Sequence, residues 1–460
     1  MFSTVELPLW LLVLILLFAT VTASTHLLFP SVRWFFRRRA ERIVERLNER
    51  LDRPIQPFKL LRRQDMIQRV IYDPDVVRAV GEYAEQKGVR EDVAFEKARD
   101  YAREIVPSFS ATAYFGIAIR AARWVANLLF DVRLERVDQE ALDKIDPEAT
   151  VVFVMNHRSN FDYVLVTYLA ASQSALSYAV GEWARVWPLS RLIRAMGAYF
   201  IRRRSRDGLY RRVLSSYVQK ATEAGVTQAV FPEGGLSRDG RVGPPKLGIL
   251  SYVVEGWRAD GRDVVFVPVS LNYDRVVEDR VLVAAGRTGK REFRGSIFEG
   301  IRFAVRYLWR RATGKVGRFG IAAVTFGRPM SLSGIAAETH GDLVQHVADL
   351  LQSTIRRNVP LTTTALALRA LQRRESASID EIVEEIRAIQ GEIGDQPADH
   401  SVSLDDKEIL EGTIKVLALR HIVQFDGEKY SIKSFDLADF YAGSIEGHMT
   451  PDRSEKSEKT

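Results

Sequence analysis

Cysteine is absent from the 460 residues. That excludes disulfides, thiolate metal sites and a cysteine nucleophile, and it suits a reducing compartment. No serine stands in a G-x-S-x-G elbow, which excludes the strand–turn–helix nucleophile of that hydrolase design. Histidines number seven, and the two closest candidates for a shared site, His340 and His346, are spaced unsuitably for one helix face. No metal and no cofactor is indicated. Lys, Arg, Asp and Glu are all missing from residues 7–29. At about 1.5 Å per helical residue this stretch reaches roughly 34 Å, enough to cross a bilayer core. Lys and Arg are also missing from residues 1–6, where a cleaved signal peptide would carry them. They come afterwards, at Arg33, Arg37, Arg38 and Arg39. The sequence therefore predicts a single-pass anchor over 7–29 in the inner (cytoplasmic) membrane, with the body of the protein on the cytoplasmic side.

What is present describes a folded chain of about two to three domains, with 46% hydrophobic and 27% charged residues. The net charge of +7 is Arg-rich and clustered, which suits lipid head groups, phosphorylated substrates or nucleic acid. Residues 31–63 carry 11 Lys and Arg against 4 Asp and Glu, with Trp34, Phe35 and Phe36 beside the arginines. This opens a helical, basic, membrane-proximal region over 31–131. Within it, 107–131 is apolar but contains Arg120 and Arg123, which disfavours a second span. It reads as an amphipathic helix lying against the bilayer, or as one buried against the next domain. From 132 to 360 apolar β-rich runs at 151–155, 175–180, 198–201, 228–231, 264–271 and 319–326 alternate with helical stretches such as 208–222 and 246–258. That pattern predicts an α/β fold, a mainly parallel sheet core flanked by helices. An Arg-rich insertion, 286–315, interrupts it, with an amphipathic stretch at 301–309. Residues 361–446 read as a mostly helical module. In it Asp426-Gly427 turns a hairpin between 422–425 and 430–433, a winged-helix-like pattern. Its mixed, partly acidic charge speaks against nucleic acid. Residues 447–460 read as a polar, disordered tail.

The chemistry gathers at strand ends. Residues 151–162, VVFVMNHRSNFD, run from a buried strand into a loop holding His157, and Asp162 opens the next, apolar helix. Open α/β sheets place reactive groups there. An imidazole can take a proton while a carboxylate fixes its tautomer and stabilises the imidazolium. A loop histidine and a helix-capping aspartate that never meet is the plainer reading. Three more stretches end in similar loops: GAYFIRR, which ends in Arg202 and Arg203; FPEGGLSR, with Glu233, Gly234, Gly235, Ser237 and Arg238; and VPVSLNY, with Pro268 in a strand. Arginines at a strand end can grip phosphate in pairs. Glycines let backbone N–H groups approach an anion. Glu233 suits orienting an arginine or a substrate hydroxyl, and a strand proline marks an edge, bulge or kink.

In this order the four stretches resemble the blocks of the glycerophospholipid acyltransferase family, and most closely its bacterial glycerol-3-phosphate branch. The resemblance covers roughly residues 100–445, tight in the blocks and loose in the flanks. It implies acyl transfer from acyl-CoA or acyl carrier protein to the sn-1 hydroxyl of glycerol 3-phosphate, giving lysophosphatidate, beside membrane lipid. It implies His157 as general base with Asp162 its partner, phosphate held by Arg203 and Arg202 with help from Ser237 and the glycine loop, and Pro268 in the acyl-donor block. One position departs: the family commonly has Arg where this chain has Leu236. Arg238 or Arg241 would then make that contact, or the acceptor site differs. Two alternatives stand beside this reading. One is a 1-acylglycerol-3-phosphate acyltransferase. The other is a non-catalytic membrane adaptor whose carboxyl-terminal module binds nucleic acid or protein.

Overall fold

The computed structural model describes residues 8–17, 42, 44–49, 51, 53–169, 175–181, 189–202, 205, 207–288, 317–394 and 407–449. Two compact units divide the chain, Met1–Ile55 and Gln56–Thr460. In the first, a helix over 9–17 starts at Pro8, whose carbonyl accepts from Leu11 and Leu12 at 2.9 and 3.1 Å. The remainder of the predicted anchor, residue 7 and residues 18–29, lies outside the described residues, as do most of the insertion and of the tail. Among the described residues no helix is long and apolar enough to cross a membrane.

The second unit is built on one sheet with strand order β1-β7-β6-β2-β5-β3-β4. The strands are β1 (Asp131–Arg136), β2 (Thr150–Met155), β3 (Ser177–Gly181), β4 (Tyr199–Ile201), β5 (Gln228–Val230), β6 (Val264–Tyr273) and β7 (Ile321–Phe326). A short β8 (Met330–Ser331) also pairs with β6. All pairings are parallel except those of β6 with β7 and β8. The α/β core is thus mainly parallel, as its continuous apolar runs predict. The pattern does not reveal β1, because DVRLER lies at the sheet edge and alternates charge with half-burial.

β2 is central and wholly buried, and its pleat sorts its residues to opposite faces. Val151, Phe153 and Met155 join an apolar cluster with Phe130, Leu165 and the carboxyl-terminal helices. Val152 and Val154 join another with the helices Arg63–Ile71, Pro74–Lys87, Glu91–Ile105, Gly208–Glu223 and Leu343–Arg357. Each such fully buried side chain contributes about 1.5–3 kcal/mol. Local signals set the helix ends: Asp207 accepts from the N–H groups of Leu209 and Tyr210, and Ser378 with Glu381 forms a capping box.

The region 361–446 contains helices Thr363–Arg374, Ile379–Ile393, Lys407–Leu419 and Phe435–Ala442. A three-stranded sheet completes it: β9 (Ser376–Ala377), β10 (Val423–Phe425) and β11 (Tyr430–Ile432), in the order β10-β11-β9. Helix, strand, two helices and a hairpin succeed one another as in a winged helix. Its core residues, from Leu366 to Ile445, belong to the same apolar cluster as β2, so one sheet face rests on this region.

Candidate active site

The loop after β2 is held by hydrogen bonds to β6, to Glu233, Ser237 and Glu278, and to Asp162. Asn156 continues the strand with its side chain: its amide donates to the Leu271 carbonyl at 2.9 Å and its Oδ1 accepts from Leu271 N at 2.7 Å. His157 N donates to Glu233 Oε1 at 2.9 Å, and His157 O accepts from Ser237 N at 2.8 Å. The imidazole Nδ1 lies 2.8 Å from Asp162 Oδ2. That oxygen also accepts the N–H groups of Arg158 at 2.8 Å and Ser159 at 3.0 Å. Asp162 Oδ1 accepts from Tyr273 OH at 2.5 Å. A carboxylate only accepts, so Nδ1 carries the ring proton and Nε2 presents its lone pair. Among the described residues no hydrogen bond engages Nε2. The ring is stacked on Phe231 at 4.2 Å and meets Tyr163 edge-on at 5.4 Å, and its side chain is 2% exposed.

The block residues divide between two kinds of role. Both oxygens of Glu233 are taken by backbone N–H groups, of His157 and of Gly243 at 3.1 Å. Glu233 therefore splices two loops, where the sequence suggested that it orients an arginine or a substrate hydroxyl. Gly234 has φ +62, and its N–H closes a turn onto Phe231 O at 3.0 Å. The N–H groups of Gly235 and Leu236, next in line, make no hydrogen bond among the described residues. The left-handed turn at Gly234 leaves these two N–H groups available to an acceptor. Ser237 turns its hydroxyl into its own loop, 2.8 Å from Arg241 O and 3.2 Å from Asp239 Oδ1. Arg238 is half-buried, its Nη1 3.4 Å from Ala285 O.

Two arginines suggested for phosphate are engaged elsewhere. Arg202 makes paired bonds with Glu104 at 2.8 and 2.6 Å and packs over the rings of Tyr101 and Tyr210. Arg241 is forked onto Asp439 at 3.1 and 3.2 Å and also bonds Glu446. These carboxylates hold its pKa above the usual arginine value. Arg203 lies outside the described residues. Pro268 is buried inside the sheet, with β2 on one side, so it marks no edge. On its other side β6 changes partner from β8, opposite Val265 and Phe266, to β7, opposite Val269 onward. The missing N–H falls in that gap, and Pro268 O accepts from Gly327 N at 2.8 Å.

Sequence reasoning passed over Tyr273, Arg158 and Glu278. Tyr273 closes the fourth block, and a phenol at that strand's end was the available signal. Burial and the neighbouring Asp162 push its pKa well up, so it remains a donor. Glu278 accepts from Ser159 Oγ at 3.0 Å and Asn160 N at 2.6 Å, and nothing in its local sequence announces this. Among the described residues no group of three His, Asp or Glu is arranged to hold a metal ion.

Burial pushes the Glu233 pKa up from 4.5 to about 7, against the N–H bonds from His157 and Gly243 and the charge of Arg158. With its folded pKa raised, Glu233 contributes most to stability below about pH 4.5, and that contribution is lost as pH rises through 7. The change amounts to about 3 kcal/mol. Glu233→Gln removes this dependence but turns an amide NH₂ towards one of the two N–H groups, a penalty of about 1–3 kcal/mol. Thermal unfolding is expected to show the variant less stable than wild type at pH 5, with the gap narrowing or reversing by pH 8. A constant gap would mean that Glu233 does not titrate in this range.

The site thus joins a strand-end histidine, a buried carboxylate bonded to its Nδ1, and an adjoining glycine loop. The family model described as Acyltransferase matches residues 136–272, which hold the first three blocks and all of the fourth but Tyr273. A second model, described as Glycerol-3-phosphate acyltransferase C-terminal region, matches residues 309–435. Relatives named glycerol-3-phosphate acyltransferase include that of Shewanella sp. (strain ANA-3), 31% identical over 314 residues, which are 66% of this chain and 37% of that protein. Another, from Pseudomonas entomophila (strain L48), is 30% identical over 281 residues, 60% of this chain and 32% of that protein. The chain thus spans well under half the length of these curated relatives. A solved 1-acyl-sn-glycerophosphate (LPA) acyltransferase from Thermotoga maritima aligns over 53% of this chain and 76% of its own, with a TM-score of 0.32 and 19% identity.

Proposed function

We propose that this protein moves a fatty acyl group from an acyl-CoA or acyl carrier protein thioester to the sn-1 hydroxyl of glycerol 3-phosphate. The observation that carries this reading is the His157–Asp162 pair, with Nδ1 bonded to the carboxylate and Nε2 without a partner among the described residues. The hydroxyl gives its proton to Nε2 as its oxygen attacks the thioester carbonyl. The imidazolium is stabilised by Asp162. The tetrahedral intermediate expels a thiolate, and the imidazolium returns the proton to that sulfur. A thiol with pKa near 8.5 leaves readily, so one base suffices. The N–H groups of Gly235 and Leu236, with the side chains of Arg203 and Arg238, are the proposed seat of the phosphate. A side-by-side assay of the purified chain with glycerol 3-phosphate and 1-acylglycerol 3-phosphate, using both donors, tests the acceptor. Preference for glycerol 3-phosphate by at least tenfold in kcat/KM is expected. Preference for the acylated acceptor would overturn the choice.

Membrane lipid belongs to the same proposal, with the apolar stretch 7–29 as anchor and the body on the cytoplasmic side. A described feature supports it. On the π-helical turn Thr112–Ala118 and the helix Ile119–Leu129, Ile117 and Trp124 are 66% and 59% exposed, with Arg120 and Arg123 exposed beside them. The opposite side, Ala118, Ala122 and Ala126, is buried. Tryptophan flanked by arginine suits an anionic lipid interface. The double variant Ile117→Glu/Trp124→Glu is expected to lose about tenfold or more in partitioning of the protein onto anionic vesicles, measured by co-sedimentation. Unchanged partitioning would remove this face from the interface.

A further inference from the structure

Among the described residues Arg158 is the largest side chain less than 2% exposed. It sits next to His157, and its N–H holds Asp162 while its guanidinium runs the other way, into the protein. There it donates to the Gly240 carbonyl and lies 4.8 Å over the ring of Phe440. Its Nε and Nη2 are buried with no hydrogen-bond partner. A buried cation with unmet donors is costly, and an apolar side chain of its size would avoid that cost. That cost calls for a role beyond packing.

The segment it reaches braces two of the four blocks and the chain just past a third. Gly240, at φ +82, approaches Phe440 so closely that a Cβ there would overlap the Phe440 carbonyl. Arg241, three residues past the third block, is held by Asp439 and Glu446. Asn272 of the fourth block donates to Ser444 Oγ at 3.1 Å. Tyr441 OH donates to Asp279 at 2.6 Å and accepts from Val276 N at 3.1 Å. The first block is reached through Arg158 and Phe440.

We propose that Arg158 is a positioning residue, tying the helix Phe435–Ala442 to the loop that carries His157 and Asp162, so that the carboxyl-terminal segment is part of the catalytic apparatus. The kinetic arm of the test rests on the acyl-transfer reading above; the exchange arm does not. Arg158→Met keeps bulk and removes charge, donors and the ring contact. It is expected to fold, to lose roughly 10- to 100-fold in kcat with KM for either substrate within about threefold, and to be partly rescued in Arg158→Lys. Hydrogen–deuterium exchange of peptide 156–162 reports the loop without substrate. The N–H groups of His157, Arg158, Ser159 and Asn160 all bond to carboxylates, of Glu233, Asp162 and Glu278. Their exchange is expected to rise about tenfold or more in Arg158→Met and in Phe440→Leu, and to stay at the wild-type rate in Phe435→Ala, an exposed position on the same helix. If Arg158→Met does not fold, Phe440→Leu decides. Unchanged exchange at 156–162 together with unchanged kcat would overturn the proposal. A wild-type chain without acyl transfer would fell the functional reading and leave the exchange result to judge this one.

Discussion

Replacing His157 with Ala is expected to lower kcat by about 10²- to 10⁴-fold while the protein stays folded. Among the described residues the imidazole Nε2 has no hydrogen-bond partner, and an alcohol at neutral pH needs a base to become a nucleophile. Its backbone bonds, from N to Glu233 and from O to Ser237 N, do not involve the ring and survive the change. What goes is the base and the ring that fills the space between Phe231 and Tyr163. Unfolding transitions should therefore shift by only a few degrees while turnover disappears. A variant that keeps more than a tenth of wild-type kcat would remove His157 from the chemistry.

Asp162→Asn separates orientation from charge. In many base–carboxylate pairs the amide forces the histidine into the wrong tautomer, at a cost of about 10⁴. Here three N–H groups, from the ring, Arg158 and Ser159, converge on Oδ2, and only Tyr273 OH meets Oδ1. The crowded side selects the amide oxygen, and the NH₂ turns to Tyr273, whose hydroxyl can reverse and accept. The tautomer survives, and the loss reduces to the missing negative charge behind the imidazolium. At about 4 Å and an effective dielectric near 20 that charge is worth ~4 kcal/mol, or about 10³-fold in kcat. Tyr273→Phe alone, which removes one of four donors, is expected to cost about tenfold or less. In the Asp162→Asn background the same change strands the NH₂ and should cost more than it does alone. Steady-state kinetics on the four proteins gives the coupling directly. Equal losses in both backgrounds would mean that the phenol does not hold this carboxylate.

Much of this site is visible in the chain before any coordinates. The continuous apolar run of β2 can only be an interior strand, and the loop after an interior strand of an α/β sheet emerges at the reactive edge. His157 and Asp162 are five residues apart, and the helix beginning at Asp162 brings them together within one turn of chain. Other features have no local signature. Arg202 reads as a phosphate ligand until its partner Glu104, 98 residues earlier, comes into contact. Arg241 finds Asp439 and Glu446 at separations of 198 and 205 residues. Glu233 reads as a side-chain partner, but backbone N–H groups take both of its oxygens, and composition cannot foresee backbone. β1 is missed for a different reason: an edge strand open to solvent need not be apolar. The joining of residues 361–446 to the β2 face, through Leu366 to Ile445, is likewise a tertiary fact that the helical periodicity of that region does not announce.

The geometry of the acceptor is the point on which everything else turns, and a structure of the full chain bound to glycerol 3-phosphate measures it directly. The sn-1 oxygen is expected within about 2.6–3.2 Å of His157 Nε2, with the phosphate on the Gly235 and Leu236 N–H groups. A phosphate lodged against Nε2 itself, or an acceptor bound away from the imidazole, would contradict the assignment of His157 as the base.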